Sequence, residues 1–286
     1  MTDKKDLTIN ISGHLMDFGR PKIMGILNVT PDSFYSASRM ETERAIEARL
    51  IQIVAEGADI IDIGACSTRP NSEIVEKEIE WKRLEQVFEI VRRLDIKLPL
   101  SVDTFRAEIA ERCVCEGGVS IINDISGGAI DPRMWEMVAA LQVPYVLTHS
   151  EAEGENCHKH REYYDVTAEI LTDLSKKINK LRSMNVNDII VDPGFGFSKN
   201  IKENFKLLED LKEFNIFTTP ILVGLSRKSM IYKTLGKSPE DSLVGSISLE
   251  AFALDRGADI LRVHDVGATK ELVDLYCVMK NNSEAI

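Results

Sequence analysis

The stretch IIVDPGFGF (189–197) is a short apolar run that ends abruptly at Asp192 and continues into a glycine-rich loop. Seven other runs along the chain end in the same way, in polar or charged residues. These runs are GILN (25–28), IIDIG (60–64), LSVDT (100–104), IIND (121–124), YVLTHS (145–150), LVGLSRKS (222–229) and LRVHD (261–265). Because an unpaired polar group is costly to bury, such endings indicate strand tips that face a polar ligand.

Helical patterns separate these runs. The runs themselves are rich in Ile, Val and Leu, which is typical of strands buried on both faces. The intervening segments are apolar at three- and four-residue spacing, as in amphipathic helices; the clearest are 42–57, 78–94, 166–185 and 203–215. A βα unit repeated eight times predicts an α/β fold of the closed (β/α)₈ TIM-barrel type, with an open doubly wound sheet as the alternative.

The length and composition of the chain predict one domain. Its 286 residues are 44% hydrophobic, which is enough for a full core, and barrels of this size are commonly a single domain. We therefore expect a single barrel domain over residues 1–286. The segment 7–19 alternates apolar and polar residues around Gly13, which predicts a short N-terminal β-hairpin that closes the bottom of the barrel.

The charge of the chain bears on its partners. A formal net charge of −11 argues against nucleic acid and against anionic membranes, so we expect a small-molecule ligand. The N-terminal sequence lacks the apolar core of a signal peptide, and no apolar run is long enough to span a bilayer. We therefore expect a cytoplasmic protein. The five cysteines contain no C-x-x-C and are interpreted as reduced thiols.

The polar strand ends are expected to converge, because the carboxyl ends of barrel strands share one face. One group suits a ligand edge rich in N–H donors; it consists of Asp103, Asn123 and Asp192. A second group is cationic and suits an anion; it consists of Arg227, Lys228, Arg262 and His264. Together the two groups predict an aminated heterocycle with a phosphate group as the ligand.

Two long loops and one aromatic motif surround this predicted pocket. The loops 25–39 and 64–73 are candidate lids or, alternatively, ordinary surface connections. In the loop after Asp192, Phe195 and Phe197 either form a wall against a flat ring or fill the core. The residues themselves leave both alternatives open.

The sequence resembles the dihydropteroate synthase family in five blocks that follow the order of that family across nearly the whole chain. The blocks are GILNVTPDSF, STRP, SVDT with IIND, DPGFGF, and GLSRKS with LRVHDV. The resemblance implies a (β/α)₈ barrel that joins 6-hydroxymethyl-7,8-dihydropterin diphosphate to 4-aminobenzoate in folate biosynthesis. It also implies a Mg²⁺ cofactor, a homodimer and a target of sulfonamides.

The resemblance assigns roles to residues that match its blocks. The implied pterin-binding residues are Asp103, Asn123, Asp192, Lys228 and Arg262. The implied diphosphate-binding residues are Asn28, Arg69, Arg262 and His264, with Asn28 also reaching Mg²⁺. The implied 4-aminobenzoate-binding residues are Phe34, Thr68, Pro70, Phe197 and Ser229. In this family diphosphate leaves first, and the arylamine then attacks a pterin-methyl cation.

Three positions depart from the common family pattern. Residues 35–38 read Tyr-Ser-Ala-Ser where Ser-Asp-Gly-Gly is usual, and 65–66 read Ala-Cys where Gly-Glu is usual. Thr148 and Ser150 flank His149 where methionines are common. The alternatives are a synthase insensitive to sulfonamides, a pterin-binding methyltransferase that uses methyltetrahydrofolate and a corrinoid partner, and a non-catalytic binding module that kept the pocket.

Overall fold

The computed structural model describes residues 7–29, 36–66, 75–151 and 160–280, with the backbone alone described for 36–42. An N-terminal hairpin comprises β1 (Thr8–Ile11) and β2 (His14–Asp17). The strands that follow are β3 (Lys22–Asn28), β4 (Ile60–Gly64), β5 (Leu100–Asp103), β6 (Ile121–Asp124), β7 (Tyr145–Thr148), β8 (Ile189–Asp192), β9 (Leu222–Val223) and β10 (Ile260–Val263). The helices are α1 (Ser36–Ala55), α2 (Lys77–Arg93), α3 (Ala107–Cys115), α4 (Met134–Leu141), α5 (Val166–Ser183), α6 (Ile201–Glu209), α7 (Ser229–Leu235), α8 (Leu243–Asp255) and α9 (Val266–Met279).

The strands β3 to β10 form one parallel sheet that closes on itself. The sheet order within the described residues is β8-β7-β6-β5-β4-β3-β10-β9. An isolated parallel bridge joins Val191 of β8 to Ile221 just before β9, and the Val191 amide donates to the Pro220 carbonyl at 2.9 Å. This closure confirms the predicted (β/α)₈ barrel, with helices α1 to α9 on the connections between successive strands and after the last one.

The barrel interior has an apolar layer on which the site rests. It is a buried cluster of one residue from each of seven barrel strands, together with three from the hairpin region. Its barrel members are Met24, Ile60, Ile121, Val146, Ile190, Leu222 and Ile260. Because successive side chains of a strand point to opposite faces, the residues two positions further along also point inward. On four of these strands that residue is charged or carries an amide, namely Asp62, Asn123, Asp192 and Arg262, and Asp103 of β5 lies opposite Asn123 in register. These five residues form the polar layer.

The hairpin covers the lower end of the barrel, as the sequence predicts. Its strands pair in antiparallel register from Thr8 opposite Asp17 to Ile11 opposite His14. Ile9, Ile11 and the nearby Phe18 belong to the same buried cluster as the apolar layer. The hairpin therefore seals the apolar layer from below and leaves the polar layer as the side open to a ligand.

The helices follow the predicted pattern, with one difference. The predicted helix 203–215 ends at Glu209, and a 3₁₀ helix (Leu211–Phe217) continues from it. Leu211, Phe214 and Phe217 are all buried, and residues three apart share one face of a 3₁₀ helix. The three-residue spacing of these large side chains explains the change of helix type. None of the helices in the described ranges is long and apolar enough to cross a membrane.

Candidate active site

Arg262 lies at the centre of the polar layer and is paired with two carboxylates. Its Nε donates to Asp62 Oδ2 at 2.6 Å, and its terminal amino group donates to Asp103 Oδ2 at 2.6 Å. Asn123 Nδ2 donates to the same oxygen of Asp62 at 3.1 Å. These contacts connect β4, β5, β6 and β10, so one guanidinium holds together strand ends that are up to 200 residues apart in the chain.

The charges of this cluster depend on one another. Burial raises the pKa of Asp103 to about 7, although the neighbouring Arg262 acts in the opposite direction. Burial lowers the pKa of Arg262, but Asp62 and Asp103 outweigh it and leave that pKa above its ordinary value. The guanidinium is thus charged at any physiological pH, and it is the carboxyl group of Asp103 whose ionisation is sensitive to pH.

Asp62 is a residue of this cluster to which the family resemblance assigns no role. It is fully buried, and its Oδ1 has no hydrogen-bond partner among the described residues. A buried acceptor without a donor is costly, so we expect a ligand N–H or a water molecule to donate to this oxygen. The signal in the sequence was the polar ending of IIDIG, which is the same signal that identified Asp103.

A second group of residues is formed by Asp192 and the loop that follows it. Asp192 Oδ1 accepts from the Gly194 amide at 2.8 Å, and Lys228 Nζ donates to the Phe195 carbonyl. The same ammonium group lies 4.9 Å from the centroid of the Phe197 ring. Burial raises the pKa of Asp192 and lowers that of Lys228 to about 8, while each charge opposes the shift of the other. The carboxylate and the ammonium therefore stabilise one another in their charged forms.

The conformation of this loop depends on glycine. Gly194 has a φ of +76°, and a Cβ at this position would lie 1.9 Å from the carbonyl oxygen of His149. Only glycine allows the loop to pass so close to the end of β7. Of the two aromatic residues in the loop, Phe195 is fully buried in the core, whereas Phe197 is only partly buried. The two phenylalanines thus differ, and Phe197 is the one that is partly exposed, beside Lys228.

Lys199 is a buried cation that the sequence reasoning missed. Its Nζ donates to the carbonyl oxygens of Gly194 at 2.8 Å and Phe197 at 3.0 Å, and it lies 3.2 Å from His149 Nδ1. Burial lowers the pKa of Lys199 to about 7. The available signal was a lysine two residues after the glycine-rich motif, and such a residue is ordinarily interpreted as exposed.

The other end of the site is a cleft between β3, α1 and β10. It has a volume of about 630 Å³, and the polar side chains that line it are Asn28, Arg49, Arg227, His264 and Asp265. His264 Nδ1 lies 3.1 Å from Ser226 Oγ. Burial, with a further contribution from Arg262, lowers the pKa of His264 to about 4, so the free protein carries a neutral imidazole here.

The four residues that the sequence predicts as a positive cluster do not form a group of unpaired charges in the free protein. Arg262 is paired with Asp62 and Asp103, as described above. Arg227 makes two hydrogen bonds to Asp265, at 2.9 and 2.8 Å, and donates to the carbonyls of Pro239 and Glu240. His264 is uncharged. Lys228 donates to the Phe195 carbonyl. Each of the three cations therefore contacts a carboxylate or a carbonyl oxygen, because burial of an isolated charge is too costly.

The structure brings together most of the predicted site residues that it describes. Asp103, Asn123, Asp192, Lys228 and Arg262 share the polar end of the barrel. Asn28 is exposed at the end of β3, and Ser229 opens α7 directly after Lys228. Phe34, Thr68, Arg69 and Pro70 lie outside the described residues. The ligand roles of all these residues remain predictions.

The structure describes the surroundings of residues at two of the three departures from the family pattern. Thr148 is paired in register with Asp192, and like Val146 below it, its side chain faces the barrel interior. Its Oγ1 is buried and has no hydrogen-bond partner in the part of the chain that the structure describes. Cys66 is partly buried beyond the end of β4, and burial raises the pKa of its thiol. Position 35 is outside the described residues, and nothing is described of the side chains at 36–38.

Comparisons with known proteins agree on one family. Residues 24–264 match the sequence model of the family described as "Pterin binding enzyme". The chain is 37% identical to the dihydropteroate synthase of Escherichia coli (strain K12) over 262 residues. The aligned region covers 91% of this chain and 92% of that protein.

Solved structures show the same similarity. The dihydropteroate synthase of Xanthomonas albilineans with 4-aminobenzoic acid is 36% identical, with a TM-score of 0.85 over 96% of this chain and 98% of that one. A structure of the same enzyme in complex with 7,8-dihydropteroate is 33% identical, with a TM-score of 0.82 over 96% of this chain and 98% of the other.

Proposed function

The chain belongs to the pterin-binding enzyme family, and from that premise we propose that it is a dihydropteroate synthase, a transferase of folate biosynthesis. It joins 6-hydroxymethyl-7,8-dihydropterin diphosphate to 4-aminobenzoate and releases diphosphate. The observation that carries the proposal is the polar layer, in which paired carboxylates and an amide meet above a sealed apolar layer. The relatives described above are synthases, which argues against the methyltransferase alternative.

The pterin ring is proposed to lie on the polar layer. Asp103 and Asp192 accept hydrogen bonds from the N–H groups of the ring edge. Each lies near a cation, Arg262 or Lys228, that opposes the rise in pKa caused by burial. Asn123 already donates to Asp62, which leaves its own carbonyl oxygen free to accept. Arg262 covers the face of the ring, where its planar guanidinium stacks on a flat heterocycle.

The reaction breaks the bond between the pterin methylene carbon and the diphosphate oxygen, and the bonding electrons leave with the diphosphate. The amine nitrogen of 4-aminobenzoate then attacks the methylene carbon and loses one proton. The carboxylates of the polar layer stabilise the positive charge that develops on the pterin in between. This reaction forms no covalent bond to the protein, so catalysis here consists of positioning and charge stabilisation.

The diphosphate is proposed to lie toward the cleft that Asn28 and His264 line, with Arg69 as a further contact. A neutral imidazole in this place donates one hydrogen bond, and a bound polyanion raises its pKa toward protonation. Arg262 is the proposed contact shared by the diphosphate and the pterin, and its pairs with Asp62 and Asp103 support a central position in the barrel.

A Mg²⁺ ion suits the donor chemistry of this cleft. No group of three or more His, Cys, Asp or Glu side chains that could hold a metal ion occurs among the described residues. Mg²⁺ in phosphate sites usually has one or two protein oxygens, with substrate phosphates and water as the other ligands, so the exposed amide of Asn28 fits. When bound, the ion would neutralise charge on the departing diphosphate. We expect EDTA to stop turnover and Mg²⁺ to restore it, whereas full activity in metal-free enzyme would contradict the assignment.

The 4-aminobenzoate is proposed to lie against Phe197 with its carboxylate near Ser229. Phe197 is partly exposed, and Ser229 begins α7, where the first amide groups of a helix have no carbonyl partner within it. Phe34, Thr68 and Pro70 are the further expected contacts. Because sulfonamides resemble 4-aminobenzoate, competition between the two for the enzyme would show whether the chain is a sulfonamide target or an insensitive variant.

A cytoplasmic homodimer is the proposed state of the enzyme. Apolar side chains on the outer surface of α8 and α9 support a dimer; among them Val244 is 73% exposed, Leu275 67% and Met279 79%. Sedimentation velocity would test this part of the proposal, and a monomer at micromolar concentration would contradict it.

A turnover assay tests the proposed function itself. Diphosphate release and 7,8-dihydropteroate formation are measured with the purified chain, with and without 4-aminobenzoate. We expect one product molecule per diphosphate when both substrates are present. A chain that binds the pterin substrate but forms no product would instead be a binding module.

A further inference from the structure

The glycine-rich loop after β8 lies between two lysines. Lys228 Nζ contacts the middle of the loop at the Phe195 carbonyl, and its Cδ is 3.2 Å from where a Cβ of Gly196 would lie. Lys199 Nζ contacts both ends of the loop, at the carbonyls of Gly194 and Phe197. The loop that carries Phe197 is therefore held by one ammonium group at its centre and by another at its two ends.

The contacts of Lys199 extend beyond the loop to β7. Its Nζ is 3.2 Å from His149 Nδ1 and 3.5 Å from the His149 carbonyl oxygen. The His149 amide in turn donates to the Asp192 carbonyl at 2.9 Å. Lys199 thus joins the ends of β7 and β8 to the loop that begins at Asp192.

The donors of Lys199 match the acceptors around it. A charged ammonium group has three N–H donors, and the three shortest contacts are two carbonyl oxygens and the imidazole nitrogen. Burial lowers the pKa of His149 well below its ordinary value, so the imidazole is neutral and can accept at Nδ1. Lys199 is 8% exposed, which leaves it little access to any ligand.

Burial of the Lys199 ammonium group has a free-energy cost, because the charged form loses its contact with water. Burial lowers the pKa of Lys199, and Lys228 contributes in the same direction, whereas Asp192 opposes the shift. An apolar side chain would avoid that cost, but it would leave the carbonyls of Gly194 and Phe197 without their Lys199 donor.

We propose that Lys199 is a positioning residue of the synthase reaction, which acts through the loop 193–198 to hold Lys228 and Phe197 in place. The inference rests on the proposed function, because Lys228 and Phe197 matter only if they contact the pterin and 4-aminobenzoate. Lys199 itself contacts neither substrate.

A double-mutant cycle tests this role. Lys199→Met removes all three N–H donors and nearly keeps the length of the side chain. Lys228→Ala removes the side chain that Lys199 is proposed to hold in place for pterin binding. The readout is the affinity for 6-hydroxymethylpterin, which lacks the diphosphate, measured by calorimetry. We expect Lys199→Met to weaken binding about tenfold, and the double variant to bind no worse than Lys228→Ala within about twofold.

Two further variants serve as controls. Lys202→Met makes the same chemical change at an exposed position three residues later, and its affinity should equal that of the wild type. Lys199→Gln keeps two N–H donors, so it should lose less affinity than Lys199→Met, and it replaces that variant in the cycle if Lys199→Met does not fold. The proposal would be overturned if the affinity loss of the double variant equalled the product of the two single losses. Wild-type affinity in Lys199→Met would also overturn it.

Amide hydrogen exchange separates this inference from the proposed function. The amide of Gly196 donates to Asn204 Oδ1 at 2.7 Å and that of Phe197 to the Gly194 carbonyl at 3.2 Å. Both amides should exchange at least tenfold faster in Lys199→Met than in Lys202→Met, with or without ligand. Unchanged exchange would contradict the role of Lys199, whereas failure of the wild type to bind any pterin would contradict the proposed function alone.

Discussion

The apolar and polar layers of the barrel interior share four strands, and on each of these strands their residues lie only two positions apart. Isoleucine is followed two positions later by a polar residue on β4, β6, β8 and β10. The four pairs are Ile60 with Asp62, Ile121 with Asn123, Ile190 with Asp192, and Ile260 with Arg262. Two residues along a strand correspond to about 6.6 Å, so the apolar core and the candidate site are separated by about that distance.

The comparison shows how a buried polar layer is tolerated. The apolar layer gains stability from burial alone, and the hairpin seals its lower side. The polar layer is nearly as buried, but most of its charges are paired: Arg262 with Asp62 and Asp103, and Asp192 with the Gly194 amide near Lys228. The Oδ1 atom of Asp62 is an exception among the described residues. The apolar layer therefore supports the fold, and the polar layer is arranged for a ligand.

The largest expected effect comes from breaking the central ion pair of the polar layer. Arg262→Met removes the partner of two carboxylates, of which Asp62 is fully buried. We expect the free energy of unfolding to fall by about 3–5 kcal/mol. We also expect kcat/KM to fall on the order of 1,000-fold, or roughly 4 kcal/mol. Urea unfolding and the turnover assay measure the two losses.

The matched control lies two residues earlier on the same strand. Ile260→Val removes one methylene group from the apolar layer and should cost about 0.5–1.5 kcal/mol of stability. Its kcat/KM should equal that of the wild type. If Ile260→Val and Arg262→Met reduced activity equally, the division into two layers would be wrong.

Asp192→Asn should weaken pterin binding without disturbing the fold. The amide replaces one acceptor oxygen by an N–H group that faces the donors of the pterin edge. The loss of a buried charged hydrogen bond is expected to cost on the order of 2–4 kcal/mol of binding free energy. Calorimetry with 6-hydroxymethylpterin measures this loss, and Ile190→Val is the control that should keep wild-type affinity. Unchanged affinity in Asp192→Asn would remove this residue from the site.

Lys228→Ala and His264→Ala should separate the two ends of the pocket. Lys228 lies beside Asp192 and Phe197, so its loss should reduce affinity for pterins with and without diphosphate by roughly tenfold. His264 lies in the cleft at the other end, so its loss should affect only the diphosphate substrate, by a similar factor. Equal losses for both ligands in both variants would show that the pocket has no such division.

The smallest expected effect is a pH dependence of pterin affinity that arises from Asp103. Burial raises the pKa of its carboxyl group to about 7 in the free protein, and only the ionised form accepts from the pterin edge without competition from its own proton. Affinity should therefore fall as pH decreases, by about threefold between pH 7.5 and 6.5. The Asp103→Asn variant should bind more weakly and should lose this part of the pH dependence. A wild-type affinity that rises toward low pH would contradict the assignment.

The fold and the positions of most site residues could be predicted from the sequence because both depend on local patterns. Apolar runs with polar ends identify Asp103, Asn123 and Asp192, and the alternation of side chains along a strand puts Arg262 on one face with His264. The resemblance to a family then adds the proposed roles. These features require no knowledge of which residues touch across the barrel.

The pairing of charges could not be predicted, because it depends on strand register and on side-chain reach. A sequence-based count of cations gave a positive cluster, whereas the structure pairs Arg227 with Asp265 and Arg262 with two carboxylates. Lys199 was missed because its burial results from the fold of a glycine loop around it. The 3₁₀ helix after α6 was also missed, since a three-residue spacing of apolar side chains is difficult to distinguish from a helical one over so few turns.

A structure of the chain with 6-hydroxymethylpterin would test the central claim most directly. The account predicts that the ring lies on the polar layer, with its N–H edge toward Asp103, Asn123 and Asp192 and its face against Arg262. The ring edge should also be within hydrogen-bond distance of at least two of these three acceptors. A ring bound instead in the cleft beside Arg49 and His264, away from the polar layer, would contradict the account.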